Sequence, residues 1–258
     1  MIEITTVTKR YGPKVAVKDL SLAVPAGELF AFLGPNGAGK TTTIKMLCGL
    51  LFPSDGTVRV GGYDIVADGD RARALISYVP DQPFLYDKLT GREFLQFTAD
   101  LYGMPAAKAR TKIAEVIDLF HLDDFADDLT ERYSHGMRQR TVFAAALVHE
   151  PKLLVADEPT VGLDPKSVRE LKTLLRQLAA GGTTVFLSTH TLDIAEELAD
   201  RIGIIDHGRL LGCGTMADLR KHAAVDGNLE DLFMAITQSE GDRGQETGDT
   251  TEPAAVGG

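Results

Sequence analysis

The chain has 258 residues, 44% of them hydrophobic, which is enough to bury the core of one domain with subdomains. Its formal net charge of -10 argues against nucleic acid or an anionic membrane as the main partner. No apolar run approaches the roughly 20 residues a membrane helix needs, and the start MIEITTVTKRYG lacks the apolar core of a signal peptide, so the expectation is a cytoplasmic chain.

From Ile2 to Val24 apolar residues alternate with polar ones, the period of half-buried strands, with a turn at Tyr11-Gly12. Tyr11 reads either as an ordinary strand aromatic or as a ring on which a base stacks. The run Leu29-Phe30-Ala31-Phe32-Leu33 is a buried strand that enters Gly34-Pro35-Asn36-Gly37-Ala38-Gly39-Lys40-Thr41-Thr42, and a helix leaves it through Met46 and Leu47. This stretch fits the G-x-x-x-x-G-K-[ST] pattern without a mismatch. Its glycines let backbone N–H groups converge on phosphates at a helix N-terminus, Lys40 adds a point charge, and the Thr41 hydroxyl is placed for magnesium (Mg2+). Pro53-Ser54-Asp55-Gly56 and Gly61-Gly62 bracket a strand at Thr57 to Val60, and a strand at Ile76 to Val79 ends in the loop Pro80-Asp81-Gln82-Pro83.

From about residue 88 to 150 the period turns helical. Thr90 and Glu93 form a capping box, with Phe94, Phe97, Leu101 and Tyr102 on one face. Gly103-Met104-Pro105 breaks that helix, and Ile113, Val116, Ile117 and Phe120 give the next its apolar face. Asp123, Asp124, Asp127 and Asp128 read as a solvated helix-to-loop face rather than a metal site. Ser134 looks like the N-cap of a further helix that begins His135-Gly136-Met137.

Leu153 to Asp157 is a buried strand delivering Asp157 and Glu158 at its C-terminal end, where α/β sheets place ligands. Adjacent positions point to opposite faces, so the two carboxylates should do separate jobs: Asp157 on magnesium, Glu158 on an attacking water. Asp164-Pro165 starts a helix that Gly181-Gly182 ends, and the strand from Thr184 to Ser188 leads to His190, placed to touch a ligand. Ile202 to Ile205 reads as the last core strand, followed by a turn at Asp206-His207-Gly208-Arg209. Cys48 and Cys213 have no metal-ligand spacing and read as buried thiols. Residues 237–258 carry five acids against Arg243 and almost no large apolar side chain, so they read as a disordered acidic tail after an ordered unit at 1–236.

In order, phosphate loop, proline-flanked loop, helical insert, Ser-x-Gly helix start, Asp-Glu strand, Gly-Leu-Asp loop and Thr-His strand end resemble the ATP-binding subunit of an ABC transporter. The resemblance covers residues 1 to about 220 and implies an α/β fold: a P-loop NTPase (RecA-like) core with an antiparallel β subdomain and an inserted helical subdomain. It implies ATP hydrolysis with Mg2+, adenine stacking on Tyr11, Asp157 on the metal, Glu158 as general base and His190 on the terminal phosphate. It further implies head-to-tail pairing with a second ATP-binding subunit, identical or not, in which Ser134, His135, Gly136 and Met137 meet the partner's ATP and Asp164 faces the partner. Transmembrane permease subunits would hold it at the cytoplasmic face of the membrane, and the Ser-His-Gly-Met form is similar to exporters. Two departures stand out. The usual L-S-G-G-Q appears as Tyr133-Ser134-His135-Gly136-Met137, and Asp81 takes the place after Pro80 where glutamine is usual, leaving Asp81 and Gln82 as alternatives for sensing magnesium. A soluble ABC ATPase acting on ribosomes or DNA is the alternative function, though such proteins usually pair two cassettes in one chain and this chain has one.

Overall fold

The computed structural model describes residues 1–245. At its centre lie the buried runs the sequence marks as strands: β3 (Leu29–Leu33), β7 (Leu153–Asp157) and β8 (Thr184–Thr189), buried at every position. Apolar residues on both faces suit a parallel sheet covered on each side by helices. Here β3 pairs in parallel with β8 and with β9 (Arg201–Asp206), while β7 pairs in parallel with β8 and with β6 (Ile76–Val79). The sheet does not end there, because β10 (Arg209–Gly214) folds back antiparallel on β9 and completes the order β10-β9-β3-β8-β7-β6. Its sequence, Arg-Leu-Leu-Gly-Cys-Gly, is half-buried and glycine-broken, so the strand is made by pairing with β9 rather than by local pattern.

A second, antiparallel sheet in the order β2-β1-β4-β5 is formed by β1 (Ile2–Tyr11), β2 (Lys14–Val24), β4 (Asp55–Val60) and β5 (Tyr63–Asp64). Register explains its alternation: Ile2 sits between Val24 and Val60, and Ile4 between Leu22 and Val58. These side chains bury against Phe30 and Phe32 of β3 and Ile44 of α1 (Lys40–Leu47). The phosphate-loop helix is thereby sandwiched between the two sheets. A short helix, α2 (Gly69–Arg73), precedes β6.

Three helices follow β6: α3 (Gly91–Leu101), α4 (Ala106–Leu119) and α5 (His135–Leu147). The Thr90–Glu93 capping box is present at α3, and α4 buries Ile113, Val116 and Ile117 with Phe120 just beyond its end. On α3 the sequence-based face requires correction. Gly91, Leu95 and Ala99 are the buried residues, while Phe97 and Leu101 are exposed, Leu101 by 69%. The period is right, and Phe94 of the expected stripe packs partly against the core, but Phe97 and Leu101 point outward.

Helices α6 (Pro165–Ala180) and α7 (Leu192–Leu198) cover the central sheet, and α8 (Met216–Ala223) and α9 (Leu229–Gln245) close the C-terminal part. Leu229, Leu232 and Ile236 bury α9 against Ala195 and Leu219. The helix runs to Gln245, past position 237 where the sequence reading begins its tail. The rest of that stretch, 246–258, lies outside the described residues. Among the described residues no helix is long and apolar enough to cross a membrane.

Candidate active site

The loop between β3 and α1 is shaped by two left-handed glycines. Gly39 has φ 109° and a Cβ there would stand 2.8 Å from the Ala16 carbonyl oxygen, so only glycine lets β2 lie this close. Gly37, at φ 85°, faces open space. Lys40, first residue of α1, is buried and its Nζ donates to the carbonyls of Gly34 (2.6 Å) and Pro35 (3.2 Å), curling the loop around its own ammonium. The cleft over this loop has a volume of about 740 Å³ and is lined by Tyr11, Asn36, Gly37, Gly39, Lys40, Thr41, Thr42, Asp81, Asp157 and Glu158, among others. Tyr11 stands 48% exposed at its mouth. Gly34 and Ala38 are buried beneath the loop, whereas Pro35 is exposed.

Asp157 ends β7 and is 2% exposed. Burial raises its pKa, the Ser188 hydroxyl hydrogen-bonded to it lowers it, the neighbouring Asp81 and Glu158 carboxylates raise it again, and Thr41 lowers it. A buried carboxylate crowded by two others, with the Thr41 hydroxyl beside it, suits a divalent cation. Among the described residues no three His, Cys, Asp or Glu side chains are grouped to hold a metal unaided.

Glu158 lies one residue past the strand at φ 48°, the left-handed region that non-glycine residues seldom occupy. Its Oε1 stands 3.5 Å from Lys40 Nζ and 2.9 Å from His190 Nδ1. An ionised carboxylate only accepts, so Nδ1 of His190 carries the proton in that contact. The structure thus brings Lys40, Glu158 and His190 together, although His190 reaches the cleft through Glu158 rather than lining it. Of the two alternatives Asp81 and Gln82, Asp81 lines the cleft and Gln82 does not, and the Gln82 backbone N–H donates to Asp81 Oδ1 at 2.9 Å.

Ser134, Gly136, Met137 and Asp164 gather elsewhere, in a cleft of about 460 Å³. Ser134 caps α5 by accepting from the Met137 N–H (3.3 Å), and Asp164 caps α6 by accepting from the N–H groups of Lys166 (2.9 Å) and Ser167 (3.0 Å). His135 does not line this cleft. Its ring packs on Gly162, where a Cβ would stand 3.0 Å from Nε2. The two clefts have no lining residue in common.

Residues 17–161 match the family described as ABC transporter. The chain belongs to the ABC transporter ATP-binding family. It is 47% identical over 238 residues to the daunorubicin/doxorubicin resistance ATP-binding protein DrrA of Streptomyces peucetius, covering 92% of this chain and 72% of that one. It is 42% identical over 239 residues to the linearmycin resistance ATP-binding protein LnrL of Bacillus subtilis, covering 93% and 77%. Among solved structures, a dimeric post-hydrolysis state of the ATP-binding cassette MJ0796 bound to ADP and Pi superposes with a TM-score of 0.76 at 27% identity, over 84% of this chain and 99% of that one. This ABC subunit therefore has a P-loop NTPase fold and is an ATPase.

Some residues of the ABC subunit's cleft carry no motif. Lys14, Val15 and Ala16 of β2 line it, as do His207 and Gly208 in the turn between β9 and β10. Gly208 donates to the Ala38 carbonyl (2.9 Å) and accepts from the Lys18 N–H (2.8 Å), so this turn ties the phosphate loop to the antiparallel sheet. The sequence signal for it is the glycine of Asp-His-Gly-Arg, which marks a turn and says nothing of what the turn meets.

Proposed function

We infer that this ABC subunit hydrolyses ATP held between the Lys40 loop of one chain and the Ser134 helix start of a second, and that the cycle drives export. The observation that carries this reading is the separation of the two clefts: each chain holds a phosphate loop with its carboxylates, and apart from it a capped helix start suited to an anion. Two chains arranged head to tail complete two sites. The resistance names of DrrA and LnrL support the outward direction.

In this reading the N–H groups of Gly37, Gly39, Lys40 and Thr41 bind the phosphates, with Asn36 and Thr42 beside them. Lys40 Nζ, now on carbonyls and 3.5 Å from Glu158, turns to the phosphates and leaves Glu158 free to accept a proton from the attacking water. Thr41, Asp157 and Asp81 would hold Mg2+, which supplies charge neutralisation on the terminal phosphates when bound. His190 orients Glu158 through its Nδ1–H and takes the contact to the terminal phosphate, and Tyr11 offers its ring to adenine. Ser134 and Gly136, with His135 and Met137 in the same turn, receive the partner's ATP, while Asp164 faces the partner.

An exposed apolar patch on this chain supports contact with permease subunits. Phe84 (67% exposed), Tyr86, Phe97 and Leu101 form an exposed apolar patch, with Tyr86 edge-on to Phe84 at 5.4 Å and to Phe97 at 5.5 Å. Patches of this kind mark partner sites. Phe84 and Tyr86 follow Asp81 in the same loop, so a permease pressed against them also touches the chain segment that lines the ATP cleft.

Sedimentation velocity tests the two-chain site. Glu158→Gln protein should dimerise with ATP and Mg2+ but not with ADP, since a ligand shifts an equilibrium only by its difference in affinity for the two states. Adding Ser134→Arg should abolish that dimer while each monomer still binds nucleotide. A double variant that dimerises as well as Glu158→Gln alone removes Ser134 from the shared site.

A further inference from the structure

The loop 158–164 links the two clefts, starting at Glu158 and ending at the Asp164 cap of α6. Its first residue is in the left-handed region, with a proline after it, and a non-glycine residue stays there only if its surroundings over-determine it. Part of that restraint is local: the Glu158 N–H donates to the Ser188 carbonyl (3.1 Å), and the Val161 N–H donates to the Glu158 carbonyl (3.2 Å). The rest comes from α5. Gln139, 3% exposed, donates from Nε2 to the Pro159 carbonyl at 3.3 Å, directly beside Glu158. One turn earlier on the same helix face, the His135 ring lies over Gly162, which at φ 77° requires glycine twice, once for its backbone and once for the ring.

We propose that Gln139 and His135 form a two-point clamp by which α5 positions the catalytic loop of its own chain, so that the helix starting at Ser134 holds Glu158 in its working conformation. The Oε1 of Gln139 is buried without a partner, a feature that disfavours folding when no other role retains the amide. The residue nevertheless spends its one hydrogen bond on the loop. The consequence is directional: ATP of a partner chain arriving at Ser134 acts on the same helix that steadies Glu158, so occupancy at one cleft sets the competence of the other. Both residues act through Glu158 and are positioning residues. The proposal rests on the reading of Glu158 as the general base.

Gln139→Met is the first test, because methionine keeps an unbranched chain of similar length and removes the donor. ATPase activity should lose roughly tenfold to a hundredfold in kcat, with the KM for ATP held within about twofold, since neither Gln139 nor His135 lines the Lys40 cleft. Native kcat in folded Gln139→Met protein overturns the proposal, and so does a fall in kcat matched by an equal loss of ATP binding, which is the mark of general structural support. Glu158→Gln, run alongside, keeps the two readings apart: native turnover there overturns the base assignment itself, whereas an inactive Glu158→Gln with a fully active Gln139→Met overturns the clamp alone. The His135 arm is tested by a cycle of His135→Ala, Gly162→Ala and the pair. Gly162→Ala strains the backbone in any background, but its loss of kcat should be smaller by about threefold or more when His135 is already alanine. Additive losses overturn the His135 contact. Should Gln139→Met fail to fold, additive losses in the cycle overturn the clamp as a whole.

Discussion

The cleft over Lys40 is organised by its own chain, whereas the cleft at Ser134 is built from the starts of two helices. In the first, Lys40 Nζ is already enclosed by the Gly34 and Pro35 carbonyls and faced by Glu158, so opposite charges are held in register before a nucleotide arrives. In the second, Ser134 and Asp164 cap α5 and α6, and the groups that would meet an anion line a surface with no phosphate loop behind it. The first is equipped for chemistry and the second for recognition. On the proposed reading, a second copy or a similar chain brings the two functions to one ATP.

The largest expected effect separates chemistry from binding inside the first cleft. Glu158→Gln should lower phosphate release by roughly 10²- to 10⁴-fold, the usual worth of a general base, while calorimetry finds ATP binding retained. Undiminished turnover would make the Lys40–Glu158–His190 contact structural only. Next comes binding itself: Lys40→Ala removes a charge-assisted contact worth about 1.5–3 kcal/mol, so ATP affinity should fall by roughly 10- to 150-fold. Tyr11→Ala should weaken ATP by roughly 5- to 150-fold through lost stacking of about 1–3 kcal/mol, and should weaken inorganic triphosphate not at all. Equal losses for both ligands would place Tyr11 on the phosphates instead.

The smallest effect on ATP belongs to a site outside both clefts, and it shows up in stability. His149 stacks on Tyr102 with ring centroids 3.5 Å apart, and its Nε2 lies 3.4 Å from the Ser77 hydroxyl, joining the end of α5 to α3 and β6. Burial lowers its pKa to about 4. The unfolded chain, with histidine near 6.5, then binds more protons between those two values, so stability is full above about pH 6.5 and is lost as pH falls toward about 4. The whole loss is at most about 3 kcal/mol. His149→Phe keeps a ring on Tyr102 and removes the titration, so urea midpoints at pH 7 and pH 4.5 should lie closer together than in the native protein. An unchanged gap would assign the acid sensitivity to other groups.

Much of the first cleft was legible because its parts are neighbours in sequence. The spacing from Gly34 to Thr42 marks a turn and a helix start within nine positions, directly after the apolar strand run Leu29 to Leu33, and Asp157 and Glu158 follow from a buried strand that ends in acids. What escaped was set by distant partners. Gly208 matters because Ala38 and Lys18 meet it, Gln139 because Pro159 lies 20 positions on, and β10 because β9 offers it a ladder. On α3 the helical period was plain, yet periodicity cannot say which stripe faces inward when small residues, Gly91 and Ala99, supply the close packing and aromatics face out. Asp81 and Gln82 were inseparable in sequence because adjacent loop residues differ by where the backbone turns, and here the Gln82 N–H closes on the Asp81 carboxylate.

The most direct test of the two-chain site mixes two variants, each broken in a different cleft. Lys40→Ala protein keeps its Ser134 helix start, and Ser134→Arg protein keeps its Lys40 loop, so neither alone assembles a complete site. A mixed head-to-tail pair has one complete site, made of Lys40 from one chain and Ser134 from the other. Phosphate release measured on the variants separately and then together should be near background for each and should reappear on mixing. If the mixture is as inactive as its components while both variants are folded, or if Ser134→Arg alone hydrolyses ATP at the native rate, ATP is not held between the two clefts.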